Sequence, residues 1–180
     1  MKGFTRREPL FSLCGLKCGL CRMHLGGYCP GCGGGEGNQS CAIARCSLEH
    51  GGPEFCWDCP EYPCARYEGF DECDSFVPHS ARARDAAEAR SLGIEAYMAR
   101  MRESAALLEK LLGGYNDGRR KTLFSTAAYL LPPEDLRAVL ERLRAQAEGL
   151  ELKERAALAA RLLTEAAQAR GHSLKLVKKP

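Results

Sequence analysis

A small cysteine-rich lobe followed by an all-α helical lobe is the fold class that this 180-residue sequence predicts. Three observations predict it. All 11 cysteines lie between Cys14 and Cys73, and the residues after Cys73 contain none. Three C-x-x-C pairs recur, Cys18/Cys21, Cys29/Cys32 and Cys56/Cys59. From about Ser80 onward Ala, Leu, Arg and Glu dominate, all strong helix formers. The charge divides at the same place. Residues 1–78 carry 7 Lys and Arg against 10 Asp and Glu, while residues 79–180 carry 19 against 13. The predicted organisation is a cysteine-rich domain over 1–78, a helical domain over 79–170 and a basic, mobile tail over 171–180.

The cysteines come in three blocks. The first is Cys14-Gly-Leu-Lys-Cys18-Gly-Leu-Cys21, with His24 three residues on. The second is Cys29-Pro-Gly-Cys32-Gly, then Cys41 and Cys46. The third is Cys56-Trp-Asp-Cys59-Pro, then Cys64 and Cys73. An odd count, tight pairs and no apolar leader argue against a disulfide framework. No C-x-x-C stands in a βαβ setting, which argues against a thioredoxin-like dithiol. Two thiols at C-x-x-C spacing grip one ion well, and repetition of the pair points to metal. In C-P-G-C-G the proline and glycines turn backbone amides toward the thiolates, as in a zinc knuckle. The first lobe is therefore expected to be metal-stabilised and zinc-ribbon or knuckle-like, with two or three zinc ions. The spacing C-x3-C-x-x-C over Cys14, Cys18 and Cys21 also fits iron–sulfur ligation, so one or two clusters are the alternative.

The expected ligands are Cys14, Cys18, Cys21, Cys29, Cys32, Cys41, Cys46, Cys56, Cys59 and Cys64. Taken in chain order, Cys29, Cys32, Cys41 and Cys46 form one site. Cys56, Cys59 and Cys64, with Cys73 or a first-block cysteine, form another, and His24 completes the first block. Read plainly, His24 is instead a solvent-facing loop histidine and Cys73 a buried thiol.

The ordered set CGLKCGLC, CPGCGG, CAIARCSLEHG and FCWDCPEYPCARYEGF resembles a cysteine-rich prokaryotic family, domain of unknown function 3795, over roughly residues 12–70. The resemblance implies metal binding through the ten cysteines from Cys14 to Cys64 and brings no known activity. This chain departs from the family pattern in two places. RMHLGGY stands where many members have a helical insert, and GNQS where some carry another cysteine.

In the second half Ser80 is placed to cap a helix running to about Arg90, ended at Gly93. Ile94, Tyr97, Met98, Met101, Ala105, Leu108 and Leu112 mark a second helix, stopped by Gly113-Gly114. Leu123 to Leu131 make a short apolar helix expected at the centre of the lobe. Pro132-Pro133 starts the next, with Leu136, Val139, Leu140 and Leu143 on one face. After a turn at Gly149, Leu152 to Ala166 form its antiparallel partner. Between the second and third helices Asn116-Asp117-Gly118 reads as a turn. Arg119, Arg120 and Lys121 follow, where the helix dipole disfavours cations unless an anion neutralises them. They are a candidate anion site with Tyr115 and Asp117, or else cations salt-bridged to the acidic cysteine-rich lobe or left to solvent.

No G-x-S-x-G, H-E-x-x-H or P-loop occurs, and the four histidines are scattered. A conventional enzyme signature is absent. No apolar run approaches the roughly 20 residues of a membrane helix, and a net charge of +3 is too small to point to nucleic acid. The expectation is a cytoplasmic, metal-binding structural or interaction module with a protein partner. The alternatives are an iron–sulfur redox protein or enzyme using Cys14, Cys18 and Cys21, and a zinc-ribbon nucleic-acid binder using Arg119, Arg120, Lys121 and the tail.

Overall fold

The computed structural model describes residues 2–35 and 41–179, so the GNQS departure lies outside the described residues. The chain divides into two compact units, Met1–Met98 with Val177–Pro180, and Ala99–Leu176. Among the described residues there are seven α-helices and no strand. They are α1 (Arg22–Leu25), α2 (Ala42–Glu49), α3 (Arg82–Leu92), α4 (Ile94–Tyr115), α5 (Lys121–Leu130), α6 (Pro133–Gln146) and α7 (Leu152–Ala169). The cysteine blocks are held by single 3₁₀ turns at Cys18–Leu20, Cys56–Asp58 and Ala65–Tyr67.

The first unit is short of aliphatic residues and fills its interior with aromatic rings and buried ion pairs. Phe11 is fully buried and meets Tyr97 edge-on at 5.0 Å between ring centroids, with Phe55 and Trp57 stacked beside it. Arg82 makes two hydrogen bonds to Asp71, at 2.8 and 2.7 Å, and lies 4.1 Å over the Tyr67 ring. Lys17, inside the first cysteine block, reaches Asp85 at 3.2 Å. Gly15 sits at φ +96°, and a Cβ there would lie 3.0 Å from the Ala86 methyl and 3.1 Å from the Arg82 carbonyl. The glycine of C-G-L-K-C is thus what lets α3 close on the cysteine turn.

These contacts explain why the unit extends past residue 78, where the composition changes. Arg82, Asp85 and Ala86 of α3, and Tyr97 and Met98 at the start of α4, are all buried. The boundary consequently falls inside α4, between Met98 and Ala99. Ser80 makes no cap: α3 begins at Arg82 with Ala81 as its N-cap residue, without a side-chain bond. The tail also differs from a free arm. Val177 bonds to Asp74 twice, through its N–H to the carboxylate at 2.8 Å and its carbonyl to the Asp74 N–H at 2.7 Å.

The second unit is an ordinary aliphatic core. Leu108 and Leu111 of α4, Phe124 and Ala127 of α5, Leu136 and Leu143 of α6, and Leu162 and Leu163 of α7 are essentially inaccessible. Helix α7 packs on both α5 and α6, which gives the expected α6–α7 hairpin. Pro133 takes the first position of α6, and the chain turns back at Gly149 with φ +73°. Gly113 and Gly114 do not end α4, which continues to Tyr115. A glycine in a helix costs only about 1 kcal/mol against alanine, and 22 residues of helix absorb that. The asparagine–aspartate turn that follows is the effective stop.

Candidate metal centre

The third cysteine block and the end of α2 enclose a small cavity. Cys46, Cys56, Cys59 and Cys64 all line it, with His50, Arg66 and Tyr67 around them, and its volume is about 30 Å³. Cys46 reaches it from α2, the helix that begins just after Cys41. Cys56 opens a 3₁₀ turn whose last N–H, that of Cys59, bonds back to the Cys56 carbonyl at 3.1 Å. Cys64 opens the next turn in the same way toward Tyr67, at 3.0 Å. Each of these C-x-x-C and C-x-x-Y steps is thus one tight backbone turn.

Polar groups surround this pocket on one side. The His50 ring nitrogen Nδ1 lies 3.6 Å from the Cys46 sulfur and 2.8 Å from its carbonyl, and Nε2 meets Glu61 at 3.2 Å. The Cys46 carbonyl and then Glu61 hold His50 above its ordinary value. The Arg66 guanidinium acts on the Cys46 sulfur. Tyr67 faces Cys56, although its hydroxyl makes no hydrogen bond of ordinary geometry. Burial pushes the Cys56 thiol up to about 11, and the neighbouring thiols of Cys64, Cys46 and Cys59 add to the rise.

A second group of thiols gathers on Cys14. Burial pushes Cys14 up to about 12; the Ser12 hydroxyl, 3.1 Å from its sulfur, works against that, while Cys32 and Cys41 reinforce it. Cys18 is likewise raised by burial, with Cys32, Cys14 and Cys21 as the thiols around it. The Cys32 turn is fixed from outside: its N–H bonds to the Pro9 carbonyl at 2.8 Å. Gly31, at φ +95°, leaves no room for a side chain, since a Cβ would lie 2.5 Å from that same carbonyl oxygen.

The two neighbourhoods are interleaved in sequence. Chain order would put Cys46 with Cys29, Cys32 and Cys41, whereas the structure sets Cys46 beside Cys56, Cys59 and Cys64. No hydropathy or spacing signal in the sequence carries that pairing. His24 uses Nδ1 on the Cys29 carbonyl at 2.9 Å. Cys73 is half-buried and lies outside the cavity lined by the other four. Arg120, the N-cap residue of α5, pairs with Asp117, whose other oxygen takes the Arg119 backbone N–H at 3.1 Å, so the partner of Arg120 is a carboxylate of the adjoining turn and not one from the cysteine-rich unit.

The donor chemistry suits a thiophilic ion. Burial disfavours a bare thiolate, so a thiophilic cation that displaces the proton would supply the neutralising charge, and Arg66 and His50 would offset part of the charge of a four-thiolate site. The side chains themselves stand apart: among the described residues no three of His, Cys, Asp or Glu form a set at the spacing that would hold an ion. No helix among the described residues is long and apolar enough to cross a membrane. Comparison of the chain with known protein families, with curated proteins and with solved structures finds no match.

Proposed function

We propose that the cysteine-rich unit is a zinc-binding structural module with two sites, one on Cys46, Cys56, Cys59 and Cys64 and one on Cys14, Cys18 and Cys32 with Cys41 or Cys21. The observation that carries this reading is the lining of one small cavity by four cysteines from helix α2 and two 3₁₀ turns. Zinc bound by four thiolates carries no open position and no redox step, which suits a scaffold role. The ordered resemblance over residues 12–70 points the same way, and a cytoplasmic, reducing location would keep the thiols available.

Protein purified without oxygen and without added metal tests the reading. The expected result is a colourless sample with about two zinc ions per chain. Iron with acid-labile sulfide and absorption near roughly 400 nm would replace it with iron–sulfur chemistry.

A further inference from the structure

The first unit carries a larger cavity, of about 440 Å³, lined by Trp57, Tyr62, Arg90, Ser91 and the alanines of one α3 face. That volume is in the range that small organic ligands occupy. Its walls are specific. Trp57 is the one tryptophan of the chain, and one indole face is stacked on Phe55 at 4.2 Å and 14°. The stack fixes the ring that borders the cavity. Ala83 and Ala87, four residues apart on α3, bring only methyl groups, so a flat body can approach the helix closely. Charge distinguishes the far end. Of the arginines on α3, Arg82 is bonded to Asp71 and Arg84 to Asp85. Arg90 alone of the three has no ion pair or hydrogen bond among the described residues, and it borders the cavity. A guanidinium offers a planar fork of donors that matches a carboxylate.

We propose that this groove binds a planar aromatic carboxylate, its ring against Trp57 and Tyr62 over the α3 alanines and its carboxylate on Arg90. The aromatic body gains area and stacking on the walls, and Arg90 supplies the selectivity for a negative end. The inference rests on the metal reading in one respect. Trp57 and Tyr62 stand inside the Cys56–Cys64 segment, so an ion held there would fix both walls.

The test follows the indole N–H signal of Trp57 by NMR on the full chain, with metal content measured on the same sample. The probes are 2-naphthoate, the uncharged 2-naphthamide, and acetate. Saturable shifts are expected with 2-naphthoate, binding at least about tenfold weaker with the amide, and none with acetate. Arg90→Gln should bring 2-naphthoate down to the affinity of the amide, and Ala87→Leu should block both; each position is exposed, so neither change disturbs the fold. Equal binding of acid and amide, unchanged binding in Arg90→Gln, or no binding to metal-loaded protein would overturn the proposal. Binding that persists at full strength after the metal is removed would sustain the groove and overturn its dependence on the metal. Metal-loaded protein that ignores 2-naphthoate would sink the groove and leave the metal reading standing.

Discussion

Asp117 accepts the Arg119 N–H and pairs with Arg120, and these contacts hold its carboxyl below the usual carboxylate range. A carboxylate lowered in the folded state contributes stability above its unfolded value, and that contribution fades as pH falls through the folded value. Asp117 should therefore titrate by NMR below 3.8, its ordinary value. Asp117→Asn should lower thermal stability at neutral pH and have no effect once the pH is well below that midpoint. At the same scale, Cys59→Ser and Cys73→Ser separate a ligand from a bystander. Metal analysis should find one ion lost in the first variant and none in the second; equal loss in both would remove Cys46, Cys56, Cys59 and Cys64 as a set. The turn at Asn116-Asp117-Gly118 was legible in the sequence because short polar side chains bond their own backbone. The partner of Arg120 was not, since any nearby carboxylate satisfies the same dipole argument.

At the scale of elements, the aliphatic helices were the most legible part. Leu136, Val139, Leu140 and Leu143 face the core of the second unit as their spacing requires, and Leu162 and Leu163 meet them from α7. Leu162→Ala should cost about 2–5 kcal/mol, read as a shift in the denaturant midpoint. The end of α4 was misjudged because two glycines look like a stop, yet at Gly113 and Gly114 the helix continues and nothing lies within 4 Å of an added Cβ. Gly113→Ala should stabilise the unit by about 0.4–1 kcal/mol; a loss of stability in the same midpoint measurement would show that the helix ends earlier. The missed start of α3 has a different cause. Ser80 fits a capping pattern, but Ala81 and Arg82 are pulled into the cysteine-rich core, and that tertiary demand sets where the helix begins.

On the whole-molecule scale the two units differ in what holds them. The second has a continuous core with no cysteine in it. In the first, aromatic stacks and buried pairs such as Lys17–Asp85 surround thiols that burial keeps protonated. Chelation, or a mercurial that titrates the thiols, should abolish amide protection in Cys14–Cys64 while protection in α5, α6 and α7 stays. Hydrogen exchange on the full chain would show it, and uniform loss would mean that the helical unit depends on the metal. Composition marks a change at residue 78, but the compact unit runs to Met98, because α3 and the start of α4 are buried with the cysteine-rich segment. The grouping of the thiols was not legible in the sequence, because Cys46 lines its cavity with cysteines ten and more residues further along the chain. Helix α2 begins directly after Cys41, which influences Cys14, and carries Cys46, which lines the four-cysteine cavity. Closing the Cys46 site would pin one end of the loop that Cys41 must close, reducing the entropy left to lose. Half-equivalent additions of zinc should accordingly yield empty and doubly filled chains in native mass spectra, with few singly filled ones.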